Sequence, residues 1–153
     1  MGLKAMERQT QNYTKRRAKT LSMIEELLKE RQHMWSLYCQ FALKDENSDE
    51  QPVEPEVRSF CQVLIEYISI GHFGIYQRIA EGNERRQRVL EVAREVYPKL
   101  VEFTDHAVAF NDKYEHLREE AMKRELTTDL SALGESLANR IELEDQLIQS
   151  LME

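Results

Sequence analysis

Apolar residues recur at every third or fourth position along most of this chain, and this spacing is typical of one face of an α-helix. Only five Gly and three Pro occur in 153 residues, so long stretches contain no helix breaker. No segment shows the alternating pattern of a half-buried strand. The sequence therefore predicts an all-α fold, an antiparallel up-down bundle of four long helices.

The first two predicted helices are separated by a distinctive connector. The first helix is expected to begin within residues 5–19 and to end before residues 44–56, whose sequence KDENSDEQPVEPE is acidic and rich in loop-forming residues. The second helix should begin within residues 54–56, because carboxylates and Pro suit a first helical turn. From Phe60 to Ile79 it is apolar nearly all round, so we expect it to occupy a central position.

Glycine and proline positions set the expectations for the rest of the bundle. Gly71 and Gly74 interrupt the second helix and indicate a close helix approach or a local bend. Gly82-Asn83 should end that helix and cap the third. Pro98 falls inside the third helical pattern, where its missing amide hydrogen predicts a kink or a break. The fourth helix is expected to open after Thr127 or Thr128.

Charge and length suggest one domain that binds a basic partner. We assign residues 1–153 to a single helical domain, with a basic and fraying N-terminal segment at residues 1–18 and the acidic loop at residues 44–56. The net charge of −7 argues against direct nucleic-acid binding and favours a basic protein surface. No apolar run is long enough to span a membrane, and no signal peptide is recognisable, so a cytoplasmic protein is expected.

Catalytic and metal-binding patterns are incomplete. The sequence contains no nucleophile motif, no phosphate-binding glycine loop and no redox cysteine pair, and Cys39 and Cys61 are expected to be reduced thiols. A carboxylate-bridged di-metal bundle needs two Glu-x-x-His pairs, and only Glu30 with His33 has that spacing. We therefore predict no enzyme activity and no metal or other cofactor. A ferritin-like di-metal enzyme remains the alternative from a different functional class.

Several charged side chains fall within helical segments and need an explanation. Glu66 follows an apolar stretch, and because an unpaired buried carboxylate is unfavourable we place it at the edge of the apolar stripe. His72 is either a hydrogen-bonded structural residue or a partner contact. The run from Arg140 to Asp145 is interpreted as a solvated face, with Arg140 and Glu144 forming an ion pair one turn apart.

Two segments resemble a known family. The second helix reads FCQVLIEYISIGHFGIYQRI from Phe60, and residues 132–148 read ALGESLANRIELEDQLI. Both segments are similar to helices of the Rsd/AlgQ family, the regulators of sigma D that bind the primary sigma factor of bacterial RNA polymerase. Together with residues 31–38 of the first helix, the resemblance covers most of the chain from about Leu21.

The resemblance implies an anti-sigma factor that lowers the availability of the primary sigma factor to core polymerase. It would bind the C-terminal region of the sigma factor, which reads the promoter −35 element. A second cytoplasmic regulatory protein, such as a phosphocarrier or an alarmone enzyme, is an additional or alternative partner. The partner-binding residues that the resemblance implies are Glu66, Tyr67, Ser69, His72, Phe73, Tyr76, Arg31, Glu144 and Asp145.

Overall fold

The computed structural model describes residues 2–42, 54–82, 84–115 and 119–153, without the side chains of residues 54, 80, 119 and 121–123. The predicted acidic loop lies almost entirely outside the described residues, as do Asn83 and Leu117. Helix α1 spans Gly2–Ala42, α2 spans residues 54–80, α3 spans Gln87–Glu115 and α4 spans Glu119–Met152. The described residues form no β-strand.

The four helices pack as an up-and-down bundle, as the sequence predicts. Each helix contacts the next one along the chain, and α1 also contacts α4, which closes the bundle. The apolar stripes face one shared core. Its largest fully buried aliphatic side chains are Leu27, Met34, Leu64, Leu100, Leu137 and Leu147.

Two predicted helix starts are wrong. Helix α1 begins at Gly2 instead of within residues 5–19, and the hydroxyls of Thr10 and Thr14 donate to carbonyls one turn back, at 2.9 Å each. Residues 3–18 contain no glycine or proline, so the helix continues through this basic segment although its side chains are exposed. Helix α4 begins at Glu119 instead of after Thr127 or Thr128, because exposed threonines are tolerated within a helix.

Helix α2 changes its winding where the glycines occur. Its α-helical parts, Glu54–Ser69 and Gln77–Ala80, flank a π-helical stretch at Ile70–Tyr76. A π-helical turn inserts extra backbone and shifts the side chains that follow it around the helix axis. The predicted close approach is confirmed at Gly74, where a Cβ atom would lie 3.1 Å from the Met23 methyl carbon.

Helix α3 continues through Pro98. Of the two alternatives that the sequence left open, a break is excluded. Pro98 and Arg94, whose carbonyl loses its hydrogen-bond donor, both lie on the exposed face, so water can hydrate that carbonyl. Beyond Pro98, the side chains of Leu100, Ala107 and Phe110 remain buried.

Candidate functional site: a buried charged network beneath an exposed strip of helix α2

A charged pair lies in the interior of the bundle. Arg140 and Glu144 stand one turn apart on α4, and both side chains are 0% exposed. Arg140 Nη1 lies 3.2 Å from Glu144 Oε2. Such a pair is tolerated only where further hydrogen bonds satisfy the remaining polar atoms.

Glu144 accepts hydrogen bonds from three other side chains on two helices. The hydroxyl of Tyr67 donates to Oε1 at 2.7 Å, and the hydroxyl of Tyr76 donates to Oε2. Arg31 on α1 reaches Oε1 through Nη1 at 3.3 Å. The carboxylate is therefore held by residues of α1, α2 and α4 at once, and a charge-assisted bond is stronger than a neutral one.

Arg140 is held mainly by tyrosines. Its Nη1 donates to the Tyr67 hydroxyl at 2.6 Å, and its Nε donates to Thr104 Oγ1 on α3 at 3.2 Å. The guanidinium lies 4.9 Å from the centre of the Tyr67 ring and 5.8 Å from that of Tyr76, within cation–π range. Through these contacts the network, here called the Arg140–Glu144 network, includes residues of all four helices.

Gly71 provides the space that this network needs. A Cβ atom at Gly71 would lie 3.2 Å from Arg140 Nη2 and 3.4 Å from Glu144 Oε2, closer than most Cβ contacts in proteins. Arg140 Nη2 is buried and has no hydrogen-bond partner among the described residues. The π-helical stretch of α2 therefore places a residue without a side chain against the guanidinium.

The two tyrosines act as hydrogen-bond donors at neutral pH. Burial, reinforced by the negative charge of Glu144, raises the pKa of Tyr67 well above its usual value. The same two causes raise the pKa of Tyr76. Both hydroxyls therefore keep their protons, as hydrogen-bonding to a carboxylate requires.

The network reaches the surface through Arg31 on α1. Arg31 Nη1 lies 2.6 Å from Asp145 Oδ1, and the two side chains are 18% and 55% exposed. Arg31 thus joins the buried Glu144 to an exposed carboxylate.

The interpretation of residues 140–145 as a solvated face is wrong for the central pair. Arg140 and Glu144 are completely buried, whereas Glu142 and Asp145 are exposed. The positions of Arg140 and Glu144 in the helical repeat could have revealed their burial. Arg140 and Glu144 continue the stripe formed by Leu133, Leu137 and Leu147, which the structure places in the core.

The nine residues implied by the resemblance divide into two groups. Tyr67, Tyr76 and Glu144 are buried in the network, and Arg31 and Asp145 lead from it to the surface. The other four form an outer strip on α2, composed of Glu66, Ser69, His72 and Phe73.

The outer strip combines a charge with an exposed aromatic ring. Glu66 is exposed, as expected for the edge of the apolar stripe, and Gln62 Nε2 approaches its Oε1 at 3.5 Å. The Phe73 side chain is 63% exposed, and its ring contacts the His72 ring edge-on at 5.0 Å between centres. Among the described side chains of α2, Phe73 is the one large apolar group that is left exposed.

The described residues contain no group of three His, Cys, Asp or Glu side chains placed to hold a metal ion. His33, from the one Glu-x-x-His pair, is exposed on α1. His106 is also exposed, and its Nδ1 lies 2.9 Å from Ser136 Oγ. Within the same part of the chain, no helix is both long and apolar enough to cross a membrane.

The fold and the site together define a four-helix bundle protein whose interior holds a charged network. Its family is established by comparison with known proteins. The chain belongs to the Rsd/AlgQ family, since the family model described as "Regulator of RNA polymerase sigma(70) subunit, Rsd/AlgQ" matches residues 6–152. The resemblance seen in the two motifs is confirmed.

Several curated relatives carry the name "Regulator of sigma D". The protein of Yersinia enterocolitica is 32% identical over 91% of this chain and 86% of its own length. That of Yersinia pseudotuberculosis is 30% identical over 91% and 85%. That of Salmonella paratyphi A is 30% identical over 94% and 90%. No solved structure gives a significant match.

Proposed function

We propose that this protein is an anti-sigma factor that binds the C-terminal region of the primary sigma factor. It acts by occupancy, without a catalytic step, and works in the cytoplasm, where the polymerase is found. Membership of a family described as regulators of the sigma(70) subunit supports the proposal. The observation that carries it to a surface is the exposure of both Glu66 and Phe73, seven positions apart on α2.

The chemistry of the outer strip suits such a partner. A helix-turn-helix module that reads DNA presents basic side chains to the phosphate backbone. An acidic protein can cover those side chains, and the net charge here is −7. Phe73 would supply the apolar anchor and Glu66 the charged contact, while the half-buried Ser69 and His72 lie between them along α2. The buried Tyr67, Tyr76 and Glu144 would hold the strip in place without touching the partner.

The test is a titration of the full chain against the isolated C-terminal sigma region. We expect Glu66→Lys to weaken binding about tenfold, because a like-charge contact replaces an attractive one. Phe73→Ala should weaken it by about thirtyfold or more, as loss of an interface anchor does. Circular dichroism should show both variants to be folded, since both side chains are exposed.

A matched control distinguishes the site from the overall charge. Glu91→Lys makes the same change in net charge at an exposed position on α3 and should leave the affinity nearly unchanged. No binding by the unmodified chain would refute the proposed function. Binding by the unmodified chain together with unchanged affinity in folded Glu66→Lys and Phe73→Ala variants would refute only the assignment of the surface.

A further inference from the structure

Arginines surround a cavity at the end of the bundle where α1 enters and α4 ends. The cavity has a volume of about 140 Å³, and Tyr13, Leu21 and Leu151 form part of its wall. Five basic residues and one acidic residue also line it: Arg16, Arg17, Arg78, Arg85, Arg86 and Glu84. This concentration of positive charge is unexpected in a protein whose net charge is −7.

The fold itself accounts for two of the arginines. Arg86 Nη1 donates to the Leu151 carbonyl at 3.1 Å, and Arg17 Nη2 lies 3.4 Å from the Met152 carbonyl oxygen. The last carbonyls of a helix have no intrahelical donor, and cations near them are stabilising. Arg17 and Arg86 therefore cap α4.

The acidic residue of the cavity is already engaged. Glu84 Oε1 accepts hydrogen bonds from the backbone N–H groups of Arg85 and Arg86, at 3.1 and 3.0 Å. It also lies 3.1 Å from Arg86 Nε. The carboxylate is thus committed to Arg86 and to the start of α3, and it forms no ion pair with the other arginines of the cavity.

Three guanidinium groups have no matching carboxylate among the residues that the structure describes. Arg78 Nη1 lies 3.0 Å from the Met23 sulfur, a weak acceptor. Arg16 and Arg85 form no ion pair with any residue that the structure describes. Like charges gathered around one concave space repel one another, so this arrangement is suited to a bound anion.

We propose that this cavity binds a small phosphorylated molecule of the nucleotide class through its diphosphate group. The planar guanidinium groups of Arg16, Arg78 and Arg85 match phosphate oxygens in pairs. Tyr13, which is 59% exposed, offers its ring as a stacking surface for an aromatic base. The site is distinct from the Arg140–Glu144 network, because none of the network's residues lines this cavity.

The experiment is calorimetric titration of the full chain with pyrophosphate, adenosine diphosphate and inorganic phosphate at about 0.15 M salt. We expect pyrophosphate and adenosine diphosphate to bind at least about tenfold more tightly than inorganic phosphate. Arg16→Gln and Arg85→Gln should each weaken both ligands by about tenfold. Tyr13→Ala should weaken adenosine diphosphate and leave pyrophosphate unchanged, since only the nucleotide has a ring to stack.

Arg124→Gln is the matched control, because Arg124 is exposed on α4 and lies far from the cavity. It should leave all three affinities unchanged. The proposal is overturned if pyrophosphate and adenosine diphosphate do not bind at millimolar concentration, or if Arg124→Gln weakens them as much as Arg16→Gln does. It is also overturned if a DNA duplex binds more tightly than adenosine diphosphate through the same arginines, since the site would then recognise a polynucleotide backbone.

Discussion

Removing either Arg140 or Glu144 alone should strongly destabilise the protein. The two single losses together should exceed the loss in the double variant. Glu144→Leu leaves the guanidinium of Arg140 without its carboxylate in a site that is 0% exposed, and it removes the acceptor for the hydroxyls of Tyr67 and Tyr76. Arg140→Met leaves the carboxylate with only Arg31 as a cation. Breaking a buried pair from one side costs about 3–5 kcal/mol, because the remaining charge stays desolvated.

The double variant Arg140→Met/Glu144→Leu tests whether an unpaired buried charge causes the loss of stability. It buries no unpaired charge, and its side chains fill a similar volume, so the remaining cost is mainly that of the two tyrosine hydroxyls, about 1–3 kcal/mol each. The free energy lost by the double variant should therefore fall short of the sum of the two single losses by at least about 2 kcal/mol. Independent sites would give losses that add to within about 0.5 kcal/mol.

Urea unfolding followed by circular dichroism measures these losses. With a slope of about 2 kcal/mol per molar urea, typical of a small domain, a loss of about 4 kcal/mol lowers the midpoint by about 2 M. Asp145→Asn is the control, because this carboxylate is 55% exposed and its ion pair should contribute at most about 1 kcal/mol. A loss below about 1 kcal/mol in Glu144→Leu, or additive losses in the double variant, would refute the reasoning.

Two further predictions follow from the same interior. Gly134→Ala should destabilise the protein by about 1–3 kcal/mol in a urea titration, because the added Cβ would lie 1.9 Å from the Tyr38 hydroxyl oxygen. Tyr38→Phe should recover part of that loss, and no recovery would contradict the steric explanation. Gly74→Ala should cost less than Gly134→Ala, because its Cβ would meet only the flexible end of the Met23 side chain, at 3.1 Å. Stability should fall above about pH 10, by about 1.4 kcal/mol per pH unit for each of Tyr67 and Tyr76, because the unfolded chain releases protons that the native state retains. In the Tyr67→Phe/Tyr76→Phe variant, the free energy of unfolding should fall less steeply above about pH 10, relative to its own value at about pH 8. Parallel declines in the variant and the unmodified protein would exclude the two tyrosines as the cause.

The arrangement of helices could be predicted from the sequence because it depends on local rules. The spacing of apolar residues is a property of each segment, and few glycines or prolines interrupt it. Val96, Leu100 and Phe110, which recur at helical spacing on α3, are accordingly buried. Helix ends were predicted less well at Gly2 and Glu119, since exposed polar residues neither favour nor prevent another turn of helix.

The family could also be recognised from the sequence, because the resemblance of the two helical motifs does not depend on coordinates, and the family model matches residues 6–152. Which of the implied site residues are buried and which are exposed could not be predicted from the sequence. Glu66 and Tyr67 are adjacent, yet one is exposed and the other is buried. Their environments differ because successive residues of a helix point about 100° apart, and only the neighbouring helices decide which direction is the interior.

By itself, the sequence determined four amphipathic helices, an acidic body and membership of a family. The tertiary structure alone decided that Arg140 and Glu144 lie inside the bundle, since their burial requires hydroxyls of Tyr67 and Tyr76 and a guanidinium from Arg31, far away along the chain. A charged pair one turn apart on a helix is solvated when considered alone. It becomes part of a core only when other helices bring hydrogen-bond partners to both the guanidinium and the carboxylate, and that condition depends on packing, not on local sequence.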